Sequence, residues 1–138
     1  MKSVFFSLMA AVFILGLLYI PQPLALEKYN LGTYTFYYGS ANFKTVPRES
    51  AAKEKYVLKN VRGESVCFSA AKATAQDVLS YYRAKVVFVE EVNGIVSYYA
   101  ETAAFDGGVD LNGREINLHI AVGGDRITVG TPLIFGGF

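Results

Sequence analysis

Glu115-Ile116-Asn117-Leu118-His119-Ile120-Ala121-Val122 is the stretch on which the fold class turns. Ile116, Leu118, Ile120 and Val122 alternate with Glu115, Asn117, His119 and Ala121. Successive strand side chains point to opposite faces, so the segment reads as a β-strand with one covered face and one wet, available face. That pattern belongs to antiparallel sheets, because parallel sheets are buried on both sides. Gly123-Gly124-Asp125 then turns the chain and Arg126 to Val129 returns. On the N-terminal side, Asn112-Gly113 joins this strand to Val109–Leu111, after a loop at Phe105-Asp106-Gly107-Gly108. Further upstream, Lys85 to Glu91 and Ile95 to Thr102 flank Asn93-Gly94, a pair that tolerates positive φ and favours a two-residue hairpin.

A helix precedes these strands. Between Ala73 and Arg83, Ala75, Val78, Leu79 and Tyr82 recur at helical spacing and make one apolar face. Thr74 can cap its start, with Asp77 as the short partner of a capping box. Before it, Thr33 to Tyr38 reads as a strand ended by Gly39-Ser40-Ala41-Asn42. Thr45 to Lys55 reads as a loop with at most a helical turn, and Lys55–Val61 with Glu64–Ser69 as a hairpin about Arg62-Gly63. The sum is an α+β, two-layer domain: an antiparallel sheet with a helix packed on one face. No internal repeat and no low-complexity segment interrupts it. The last residues, Gly130 to Phe138, are apolar where chain ends are commonly polar; Leu133, Ile134 and Phe135 either complete the core or form a docking peptide.

The first residues carry an address. Lys2 is followed by the 17-residue apolar run Val4–Ile20 and then by Pro21-Gln22-Pro23-Leu24-Ala25. Residues 1–25 are therefore a signal peptide or an N-terminal membrane anchor, and residues 26–138 a single domain. Ala25 suits the position before a cut, whereas Pro23 is a poor fit to the small-x-small rule, so cleavage and retention both stay open. Either way the domain is expected to be exported and extracytoplasmic, touching a membrane only through the N-terminal segment if that is uncleaved. Without Lys2 the chain has 12 basic and 12 acidic residues, which leaves no electrostatic footprint for nucleic acid. Cys67, the only cysteine, lies in Val66-Cys67-Phe68 and reads as a small buried hydrophobe. The ten Tyr and ten Phe suit packing first and binding second.

Catalytic and metal-binding patterns are missing from the sequence. One His and one Cys, far apart, do not make a metal site. Asp106-Gly107-Gly108-Val109-Asp110 has too few ordered oxygens for calcium and reads as a turn. Glu90 and Glu91 point to opposite faces and cannot act on one bond. No cofactor is implied. What remains is a polar row, Glu115, Asn117 and His119, joined by Tyr98 or Tyr99, on the available face of the sheet; it is the expected binding site, and His119 its one possible general base.

Tyr81-Tyr82-Arg83-Ala84-Lys85-Val86-Val87, Val92-Asn93-Gly94-Ile95, and Asn112 to Val122 followed by Gly130-Thr131-Pro132-Leu133-Ile134 resemble the C-terminal part of the YwmB-type secreted proteins of spore-forming Gram-positive bacteria. The resemblance implies a fold similar to the TATA-box-binding protein, a curved antiparallel sheet with helices on one face, and a cell-envelope or sporulation setting. The expected function is a non-catalytic interaction domain for an envelope protein or small ligand. The alternatives are a small extracytoplasmic hydrolase using His119 and an N-terminally anchored structural or assembly protein.

Overall fold

The computed structural model describes residues 23–135, together with Ser7 and Met9. Apart from those two positions, the run Val4–Ile20 lies outside the described residues, as do the last three residues of the tail. Among the described residues no helix is long and apolar enough to cross a membrane.

The elements, in chain order, are β1 (Thr33–Tyr38), β2 (Asn42–Pro47), α1 (Ala51–Val57), β3 (Val61–Ser69), α2 (Ala75–Tyr81), β4 (Lys85–Val92), β5 (Ile95–Glu101), β6 (Val109–Leu111), β7 (Arg114–Ile116), β8 (Leu118–Gly123) and β9 (Arg126–Thr131). Seven strands form one sheet in the order β2-β1-β3-β9-β8-β5-β4, and β6 and β7 form a separate ribbon. Every neighbouring pair is antiparallel. The α+β reading with an antiparallel sheet therefore holds.

The core lies on one face. Tyr34 and Phe36, Val66 and Phe68, Ile127 and Val129, and Leu118 and Ile120 alternate along the four central strands and are buried. Register aligns them: Tyr34 lies opposite Val66, Val66 opposite Val129 and Val129 opposite Ile120. Val78, Leu79 and Tyr82 from α2 and its end cover this layer, together with Leu26 and Tyr29 from a 3-10 turn at Glu27–Tyr29. Each large side chain so buried contributes on the order of 2 kcal/mol. The α2 start is a complete capping box: Asp77 N donates to Thr74 Oγ1 (3.1 Å) and Thr74 N to Asp77 Oδ2 (2.8 Å). The hairpin turns at Asn93-Gly94 and Asn112-Gly113 place all four residues at positive φ.

Three local expectations change. The segment read as a loop and first hairpin strand is instead the end of β2, a 3-10 turn at Arg48–Ser50 and α1, because Ala51-Ala52-Lys53-Glu54-Lys55 is a run of good helix formers. The apparent alternation after Lys55 spans the end of that helix at Val57, its extended cap Leu58 and the turn through Asn60, at positive φ, into β3. Second, β3 is one nine-residue central strand rather than half a hairpin, since it pairs with β1 and β9 along its length. Third, the strand expected over Glu115–Val122 divides at Asn117: β7 leaves to pair with β6, while Asn117 N still donates to Ala100 O (3.1 Å).

The tail takes a course neither sequence reading foresaw. It joins the sheet but not the core, folding back across the opposite face. Ile134 N donates to His119 Nδ1 (3.3 Å), and the Phe135 ring meets Tyr37 edge-on at 5.4 Å. Glycines make the room: a Cβ on Gly130 would stand 2.7 Å from Ile134 Cγ1, and one on Gly63 would stand 3.0 Å from Phe135 Cε2.

Candidate functional site

The predicted polar row does not assemble. Glu115 lies exposed in the β6–β7 ribbon, opposite Asp110. Asn117 is 4 % exposed, and its amide is a structural clamp: Oδ1 accepts from Thr102 N (2.8 Å), and Nδ2 donates to Thr102 O (2.7 Å) and Phe105 O (3.2 Å). His119 does point away from the core, but the tail covers it and leaves it 3 % exposed. The alternation along the strand was sound; the availability of its second face was not, because Gly130 opposite His119 admits Ile134 over the ring.

Register also separates the two tyrosines. Tyr98 faces the core layer, opposite Ile120. Tyr99 lies opposite His119 and is stacked between that imidazole and Phe88, with centroid distances of 4.4 Å on both sides. Of the five expected residues, the structure thus brings only Tyr99 and His119 into one unit, a stacked aromatic row. Burial pushes the His119 pKa down to about 4. It raises that of Tyr99, helped by the nearby Glu90 carboxylate, which accepts from the phenol at 3.3 Å. An imidazole that is buried and neutral at pH 7 has neither the access nor the basicity for general-base work.

What is open on this face lies beside the tail. Thr35 and Tyr37 from β1, Ser65 and Cys67 from β3, and Arg126 and Thr128 from β9 line a groove of about 410 Å³. Its walls include Ile95 and Ile134, and the Asn93-Gly94 turn overhangs one end. Local alternation explains the set: these side chains alternate along their strands with the buried Tyr34, Phe36, Val66, Phe68, Ile127 and Val129. Within the groove Tyr37 OH and Ser65 Oγ are hydrogen-bonded at 3.1 Å, and Arg126 Nε donates to Cys67 Sγ at 3.3 Å. Cys67 is therefore half-buried on the groove side rather than a core hydrophobe; a one-residue step in β3 exchanges the faces.

The lining offers hydroxyls, one thiol and one guanidinium, but no carboxylate and no imidazole. Such a surface can hold a polar segment by hydrogen bonds and direct an anionic group to Arg126. Among the described residues no group of His, Cys, Asp and Glu could hold a metal ion. Sequence reasoning missed this groove, although the signal was present in Thr33–Tyr38 and Glu64–Ser69; it becomes one face only once β1, β3 and β9 are known to be neighbours.

Comparison of the chain with protein-family models, with curated proteins and with solved structures finds no match.

Proposed function

We propose that the protein is an exported, non-catalytic interaction domain of the cell envelope, which takes an extended polar segment of an envelope protein in the groove of β1, β3 and β9. The YwmB-type resemblance and its sporulation setting belong to this same reading. The observation that carries it is the composition of the groove: four hydroxyl side chains, one thiol, one guanidinium and apolar walls, with no carboxylate and no imidazole. Binding surfaces combine such elements, whereas hydrolytic sites need a nucleophile beside an accessible base. The hydrolase alternative relied on His119, and the cover over that ring and its depressed pKa count against it.

A photo-crosslinking residue at Thr128, in protein made by its own cell, tests the reading. The expected result is a light-dependent adduct with an envelope protein, lost when Arg126→Glu reverses the charge in the groove. The same residue at Ser80, on the exposed side of α2, gives no such adduct. Equal adducts from both positions, or an adduct indifferent to Arg126→Glu, would remove the groove from consideration. Occupancy by a small ligand would appear instead as a mass retained on the protein and lost in the same variant.

A further inference from the structure

We propose that the end of the domain bearing Phe43, Val57 and Phe135 rests in the headgroup layer of a lipid bilayer, beside the apolar run Val4–Ile20. The proposal rests on the export reading, with that run retained.

The starting point is a buried clamp on the chain just after the apolar run. Glu64 is 6 % exposed on the core side of β3. Its Oε1 accepts from Tyr34 OH (2.7 Å) and from Ala25 N (3.2 Å), and its Oε2 from Lys55 Nζ (2.9 Å). Lys55 Nζ also donates to Pro23 O (2.5 Å), and Leu26 N donates to Tyr34 OH (3.1 Å). A buried carboxylate is tolerated when an opposite charge and further donors satisfy it, and here part of that satisfaction comes from Pro23–Leu26 themselves. A cut after Ala25 would remove both the Ala25 N–H and the Pro23 carbonyl from this network. Pro23–Ala25 therefore belong to the folded domain.

Pro21 and Gln22 alone separate Ile20 from this clamp. Three peptide steps reach at most about 10 Å. A run held in a bilayer thus brings the surface around Pro23 to the headgroups. That surface is one end of the sheet, where β1 ends, β2 and β3 begin and β9 ends. Arg62 lines both the recess around Pro23–Ala25 and a neighbouring cleft of about 280 Å³ that includes Tyr38, Phe43 and Phe135. Phe43 is 68 % exposed, Val57 61 %, Phe135 46 % and Tyr56 44 %. Arg62 is exposed there, and Lys53 on α1 and Lys59 just after it are exposed as well; acidic groups on these elements include Glu54, paired with Lys44 at 2.5 Å, and Asp106 at the recess. Aromatic and aliphatic tips set among basic heads match the headgroup layer, where rings bury their bodies and cations reach phosphate.

The test uses the full chain in vesicles of phosphatidylcholine with a minority of phosphatidylglycerol. Single-cysteine variants Phe43→Cys, Phe135→Cys and Asp125→Cys, all with Cys67→Ser, carry an environment-sensitive fluorophore and are read with headgroup-level spin-labelled lipid. Asp125 lies in the β8–β9 turn at the opposite end of the sheet. Quenching several-fold stronger at positions 43 and 135 than at 125 is expected. Equal quenching on a chain that co-floats with the vesicles overturns the surface while leaving the anchor standing. A chain that stays in solution overturns the retained anchor and this proposal together, and leaves the groove reading untouched.

Discussion

Asn117 and His119 show how a residue's type can be read correctly and its role missed. The Asn117 amide satisfies three backbone groups where β7 and β8 part, so Asn117→Ala removes that partner from the buried Thr102 N–H and C=O and from the half-buried Phe105 carbonyl. A loss of about 3 kcal/mol is expected in urea unfolding, and a loss below ~1 kcal/mol would show that water replaces the amide. His119 supplies a pH-dependent term of definite sign. Its folded-state pKa is depressed, from the ordinary 6.5 to about 4. The unfolded chain therefore takes up a proton in that window while the folded chain refuses it, and stability falls as pH drops from 6.5 towards 4. The loss amounts to at most about 3 kcal/mol. His119→Gln should flatten this part of the profile relative to the parent; an unchanged slope would mean that carboxylates carry it. The alternation of Glu115–Val122 was legible because side-chain direction is a local property. The cover over His119 was not, because it comes from Ile134, which meets the imidazole only after the β8–β9 hairpin has formed.

At the level of elements, legibility followed local chemistry. The capping box of α2 and the Asn-Gly turns are written in two to four adjacent residues, and the structure has them where the sequence placed them. The hairpin expected at Arg62-Gly63 failed because Gly63 serves another purpose, clearing space for Phe135 in a continuous strand. Gly130 has the same role beneath Ile134 and permits a direct test of the tail as an element. Gly130→Ala sets a Cβ 2.7 Å from Ile134 Cγ1 and 3.0 Å from Leu133 C, so the tail must move. The Ile134–His119 hydrogen bond should then break and water reach the imidazole. The His119 pKa should rise from about 4 towards 6.5, followed by the ring proton shifts in NMR. An unmoved pKa with an intact fold would show that the ring is desolvated by the sheet and Tyr99 rather than by the tail.

Across the whole molecule, the Glu64 clamp ties together the N-terminal segment, the core and α1, and no reading of the sequence foresaw it. Tyr34 is 30 residues from Glu64 and Pro23 is 32 from Lys55, and Glu64 occupies a core position where alternation calls for an apolar side chain. Glu64→Gln keeps the size but removes the charge opposite Lys55, whose side chain is 16 % exposed. Breaking a buried pair from one side costs on the order of 3 kcal/mol, because the remaining charge stays desolvated. Replacing both partners behaves differently: Lys55→Met with Glu64→Leu fills the site with apolar groups and should recover much of that loss. The segment does not recover with it, since Ala25 N and Pro23 O have then lost their partners on either side. Amide exchange at Ala25 should therefore be fast in the double variant although its global stability is near the parent, whereas Glu64→Gln, whose amide oxygen can still accept from Ala25 N, lowers global stability without freeing the segment first. If Ala25 exchanges slowly in the double variant, the packing of Leu24 and Leu26 alone holds the segment, and Glu64 serves the core rather than the attachment of the chain that leads to the apolar run.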